Sequence, residues 1–152
     1  MASPTRAQTC IFVDGSSRGN PGPAGIGVVV FDAGSEEVSA EISTYIGITT
    51  NNVAEYEAVI HALKWMKDSS VRCAVIKLDS ELVYRQLTGK YRVKSPHIAL
   101  LMKRLSVLRS EVGEVKFMLI PREENKLADR LAQKASKRVK PKRAHFRQLP
   151  LR

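Results

Sequence analysis

Four carboxylates stand where packing alone would not put them: Asp14, Glu55, Asp79 and Asp129. Asp14 closes a nearly continuous apolar run that begins at Thr9, and Asp79 closes a second, "VRCAVIKL". In an α/β sheet ligand sites gather beyond the carboxyl ends of such strands, so if these two are parallel neighbours their acids converge. Glu55 shares a helical face with Val59, Ala62 and Met66, which turns its carboxylate toward a sheet rather than toward bulk water. Asp129 lies amid Ala128, Leu131 and Ala132, at the inner edge of a last helix. Each acid taken singly has a milder explanation: Asp14 as a turn former, Asp79 with Ser80 as a helix cap, Glu55 and Asp129 as residues near helix starts. Together they have no equally placed Lys or Arg partners, and such a cluster repels itself strongly in a partly dry site. Divalent cations relieve that repulsion. Hard oxygen donors, three histidines and two cysteines set in strands point to magnesium or manganese rather than zinc.

The elements that must position these acids follow from periodicity. Thr9 to Val13 reads as a central strand buried on both faces, ended by Asp14. "GIGVVVF" and "VSAEISTYI" form a hairpin pattern around the turn signal Asp32 to Ser35. "NNVAEYEAVIHALKWMK" has helical spacing, with Tyr56, Ile60 and Leu63 on one stripe. After the strand that Asp79 closes, "SELVYRQL" predicts a short helix and "GKYRVKSP" an irregular connector around Gly89 and Pro96. Ile98, Leu101, Met102, Leu105 and Leu108 mark a longer amphipathic helix. "EVKFMLIP" is a strand stopped by Pro121, and "EENKLADRLAQKASK" a last helix with acids in its first turn. The order β-β-β-α-β-α-α-β-α predicts an α/β fold with a mixed sheet, an antiparallel meander followed by crossover helices.

At 152 residues the chain amounts to one domain, divided into a flexible N-terminus (1–8), a folded domain (9–137) and a basic tail (138–152). No stretch approaches the roughly 18 consecutive apolar residues of a membrane span. "MASPTRAQT" lacks the apolar core of a signal peptide, so the expected location is the cytoplasm. Cys10 and Cys73 fall in apolar strands and read as small thiols without functional content. The net charge of +10 is uneven: seven of the 25 lysines and arginines fall after residue 136, where there is no acid. A basic balance favours polyanionic partners such as nucleic acid, although a charge run alone is usually a solvated tail.

"DGSSRGNPGPAGIG", "TTNNVAEYEAVIHAL", "LDSELV" and "PREENKLADRLA" resemble, in order and spacing, the four catalytic blocks of type I ribonuclease H, from about Thr9 to Lys137. The resemblance implies a five-stranded mixed sheet flanked by helices, and hydrolysis of the RNA strand of an RNA–DNA hybrid to 5′-phosphate and 3′-hydroxyl ends. It implies an acid tetrad, Asp14, Glu55, Asp79 and Asp129, serving two magnesium ions, with manganese as a substitute. In-line displacement with a pair of ions roughly 3.5–4 Å apart activates water, stabilises the leaving oxygen and neutralises charge. By the same resemblance Asp14 bridges both ions, Asp129 holds the one that activates water, and Glu55 and Asp79 serve the leaving group. The substrate-facing set takes in Gly15, Ser16 and Ser80 beside the acids. Asn20 matches a position at the hybrid's minor groove, Thr50 one at a DNA-strand phosphate, and Asn51 and Asn52 are implied to touch substrate. Gly15, Gly19 and Gly22 are expected to let backbone approach the sugar–phosphate surface.

Two departures from the family pattern carry their own expectations. The usual loop histidine before the last acid is missing and Arg122 stands nearest its place. An arginine stays protonated and cannot act as a general base, so it is expected to handle substrate or product phosphate; an ion pair with Glu123 or Glu124 is the plainer alternative. The basic protrusion of some members is also missing, replaced by "GKYRVKSP", in which an extended backbone would turn Lys90, Arg92 and Lys94 to one side as a phosphate track. The expected partner is the hybrid, with no membrane, no obligate protein partner and a monomeric state. The rival readings are a catalytically weak nucleic-acid-binding module and a nuclease preferring another duplex. A phosphate-cradling nucleotide-binding protein is disfavoured because "GSSRGNPG" lacks the Lys-Ser/Thr ending of a P-loop.

Overall fold

The computed structural model describes residues 8–137; the expected basic tail (138–152) and residues 1–7 of the expected flexible N-terminus lie outside the described residues. Three antiparallel strands come first: β1 (Thr9–Ser17), β2 (Gly22–Phe31) and β3 (Val38–Thr49). Helix α1 (Asn51–Asp68) leads to β4 (Cys73–Leu78), α2 (Glu81–Leu87) and α3 (Pro96–Val112), and β5 (Glu114–Leu119) and α4 (Lys126–Ser136) complete the order. The sheet order is β3-β2-β1-β4-β5, with β4 parallel to both β1 and β5. This is the mixed sheet that the sequence predicts, flanked by helices on both faces.

Alternation along the strands separates the two faces. Ile11, Val13, Ile26, Val28, Ala74 and Ile76 point to the side of α1 and join Tyr56, Val59, Ile60 and Leu63 in the main core. The opposite face receives α4, and it does so on glycine. A Cβ on Gly27 would lie 2.2 Å from Ala128 O, and one on Gly25 would lie 2.6 Å from Ala132 O. The helix therefore lies flush on β2, with Ala128, Ala132 and Ala135 fully buried beneath it.

Three local expectations are corrected. β1 does not end at Asp14 but runs on to Ser17, because its antiparallel pairing with β2 continues to Ser17 opposite Ala24 after the parallel pairing with β4 has stopped at Phe12 opposite Lys77. The last helix begins at Lys126, and Glu123 and Glu124 belong to a separate 3-10 turn, Arg122–Glu124. Pro96 opens α3 rather than closing the connector, where its fixed φ suits a first helical turn and Ser95 accepts from Ile98 N. The segment after α2 opens on a helix-closing turn, and Lys90, Arg92 and Lys94 beyond it line one groove. Gly89 takes φ +80° and closes the helix, with Lys90 N donating to Arg85 O at 2.8 Å and Gly89 N to Gln86 O at 3.2 Å.

Candidate active site

The overrun of β1 past β4 makes the site. Asp14 lies two residues beyond the last parallel pair, and Asp79 directly follows the last residue of β4, so both acids emerge at the same carboxyl edge. Gly15 brings in the third. A Cβ there would fall 2.2 Å from the backbone carbon of Ala54, so α1 can seat against β1 only because this residue has none. The next residue along α1 is Glu55, and its Oε1 accepts from Gly15 N at 3.2 Å. Carboxylate oxygens of Asp14, Glu55 and Asp79 all lie within 4.8 Å of one another.

Asp129, in the first turn of α4, completes the wall of the same cavity, about 250 Å³, which Gly15, Ser16, Asn51, Arg122 and Gln133 also line. Both Asp129 oxygens accept from Gln133 Nε2, at 3.1 and 3.0 Å, and Asp129 also engages the Asp14 carboxyl through a hydrogen bond. Asp14 is 6% and Glu55 8% exposed. Burial first, then the charges of Glu55 and Asp79, push the Asp14 carboxyl up to about 10. Burial and Asp79 push Glu55 up to about 8, while the Gly15 N–H, a hydrogen bond with Asp14 and the Arg122 charge draw it back. Carboxylates that hold their protons for lack of counter-charge, with only oxygen donors converging, fit a hard divalent cation.

The other predicted residues divide into three groups. Gly15, Ser16, Asn51 and Arg122 face the acid cavity. Among the described residues no ion pair joins Arg122 to Glu123 or Glu124. Asn20, Thr50 and Ser80 do structural work: Asn20 Oδ1 accepts from Asn51 N at 2.8 Å, Thr50 caps α1 through Val53 N, and Ser80 caps α2 through Val83 N. Asn51 Oδ1 in turn accepts from Ser17 N at 3.0 Å, which ties the end of β1 to the start of α1. Asn52, Lys90, Arg92 and Lys94 lie in a second groove of about 530 Å³, with Gln86, Tyr91 and Ser95. Adjacent residues of one helical turn, Asn51 and Asn52, thus face the two hollows, and the N-terminus of α1 forms the saddle between them.

The glycine expectation needs revision. The space that Gly15 and Gly22 leave is filled by the protein itself: Ala54 stands against the first, and Arg18 O would be 2.0 Å from a Cβ on the second. Two residues that the sequence alone does not single out belong at the site, Asn125 and Gln133. Asn125 Nδ2 donates to Asp79 Oδ2 at 2.8 Å and to Val13 O at 2.9 Å. Their signal is spacing, since they stand four residues before and four after Asp129 and so share its helical stripe.

Comparison with known proteins agrees with this geometry. The profile of the reverse transcriptase-like family matches residues 12–135. A bifunctional protein of Mycobacterium tuberculosis is 42% identical over 125 residues, which are 82% of this chain and 34% of the relative. The chain therefore spans about a third of that relative's length. Among solved structures, RNase H1 of the archaeon Halobacterium salinarum superposes with a TM-score of 0.81 at 36% identity, covering 84% of this chain and 96% of that one. LC11-RNase H1, from a compost metagenome and crystallised in complex with an RNA/DNA hybrid, gives 0.79 at 41% identity, covering 84% and 96%.

Proposed function

The chain belongs to the reverse transcriptase-like family of ribonuclease H domains, and from that premise we propose that it hydrolyses the RNA strand of RNA–DNA hybrids, with divalent cations, magnesium first, held by Asp14, Glu55, Asp79 and Asp129. The observation that carries the reading is the convergence of three carboxylates within 4.8 Å at the open edge of the sheet, with Asp14 and Glu55 driven toward the protonated state by burial first and then by neighbouring carboxylate charge.

Bound divalent cations supply charge neutralisation at the phosphate and a water acidic enough to attack near neutral pH. The chain's own residues do the rest. Asp14 presents its carboxylate from a strand held on one side by β2, and the Gly15 N–H fixes one oxygen of Glu55. Gln133, on the same cavity wall, holds Asp129 by both oxygens and so orients it beside the other acids. Arg122 stays protonated, so it cannot act as a base, and contributes charge for a scissile or released phosphate. Lys90, Arg92 and Lys94 in the neighbouring groove are placed to follow a second stretch of phosphates, and Tyr91 adds a flat apolar surface beside them. The products are 5′-phosphate and 3′-hydroxyl ends, and a single copy of the chain carries all four acids.

The test is incubation of the protein with end-labelled hybrid, double-stranded RNA and single strands, with magnesium and with EDTA. Cutting confined to the RNA of the hybrid and abolished by EDTA is expected. Cleavage that survives EDTA, or hybrid left intact at saturating magnesium, would overturn the assignment.

A further inference from the structure

Asn125 occupies the N-cap position of α4 yet makes no side-chain capping bond. The usual work of an asparagine there is to accept a hydrogen bond from the first turn of its own helix. Here the side chain turns inward instead, 1% exposed, and spends Nδ2 on two acceptors from other elements, Val13 O and Asp79 Oδ2. Both partners only accept, which settles the amide's orientation and sends Oδ1 to the other side. That oxygen is buried with no partner among the described residues. A residue kept for packing would do better as a leucine of similar shape, because an unpaired acceptor in a dry interior is a cost and no gain.

We propose that Asn125 is a positioning residue that sets the spacing of the acids through its amide. Resting on the reading that the cluster holds divalent cations, the inference assigns it three ties. Nδ2 commits one oxygen of Asp79 and leaves the other freer. The same nitrogen holds the carbonyl directly before Asp14. The Asn125 carbonyl accepts from Asp129 N at 3.1 Å and so opens the turn that carries the fourth acid. One residue links three acids drawn from three separate elements, and it does so without facing the cavity itself.

The experiment compares wild type with Asn125→Leu, which keeps the volume and removes the donor, and Asn125→Ser, which keeps one small donor. Three quantities are read: Mn²⁺ affinity by calorimetry, hybrid affinity without divalent cation, and kcat and KM. For N125L we expect Mn²⁺ binding about 10–100-fold weaker, in the range seen when partners of metal ligands are removed. The thermal midpoint should fall modestly with the fold retained, because Val13 O and Asp79 Oδ2 lose their donor, and cation-free hybrid affinity should stay within about twofold. kcat should fall while KM holds, and N125S should lie between. Wild-type Mn²⁺ affinity in N125L would overturn the proposal, as would loss of the fold in both variants, which would make the amide a structural tie alone. Wild-type protein that binds Mn²⁺ but leaves hybrid intact would sink the functional reading and leave this one standing, since the Mn²⁺ titration decides it.

Discussion

A carboxyl that titrates far above its usual range carries an opposite sign in stability from the familiar salt-bridged acid. Between its unfolded value and its folded one, the native state holds a proton that the unfolded chain has released, so stability falls as pH rises through that window. For Glu55 the window runs from 4.5 to about 8, and for Asp14 from 3.8 to about 10. Asp14→Asn removes one such group. In EDTA at pH 7.5 the variant should melt on the order of 5 °C above wild type, and the gap should close toward pH 4. Magnesium should raise the wild-type midpoint and leave the variant's nearly unmoved, while hybrid binding persists and cleavage is lost. An equal gap at both pH values would show that the two acids do not burden the fold. Asp14 and Asp79 were readable from sequence because each ends an apolar run, and Glu55 and Asp129 because each lies among apolar neighbours on its helix. Asn125 was not, because an uncharged polar residue ahead of a helix reads as a cap, and only the fold reveals that its side chain points the other way.

Secondary structure was legible wherever one local force governs it. Hydrophobic period placed all five strands and four helices in order, and the flanking Ser, Thr and Gly mark most ends. Boundaries failed where a distant partner decides them. β1 outlasts Asp14 because β2 continues beside it, and α4 starts late because Asn125 is drawn toward Val13 and Asp79. The glycines show the same limit: composition can say that a side chain is missing but not whose approach its absence permits. Gly27 makes this testable. Gly27→Ala would press a methyl against Ala128 O, so α4 must lift from β2. A loss of about 2–3 kcal/mol in urea unfolding is expected, with kcat falling further than that loss of stability explains, because Asp129 rides on the displaced helix. A variant of wild-type stability would mean that α4 sits more loosely than the close approach implies.

At the scale of the whole molecule, the described residues gather acids and most nearby cations into two hollows, with Arg122 alone of these cations beside the acids. The acids occupy one hollow, the cations Lys90, Arg92 and Lys94 another, and the first turn of α1 stands between them. A polyanion spanning both would meet repulsion at one end, relieved by cations, and attraction at the other. Replacing the three basic residues by glutamine should weaken hybrid binding at every sequence tested, and should lower the slope of log affinity against log salt by about 0.9 for each phosphate that is no longer neutralised. kcat at saturating hybrid should hold. An unchanged slope would mean that the groove carries no phosphate.

The flush seating of α4 on β2 bears on synthesis as well as on folding. Residues 14, 55, 79 and 129 are threaded through nearly the whole described chain, and the helix bearing the last of them is the final described element to be made. A nascent chain lacks the fourth acid until that helix has emerged and docked on β2.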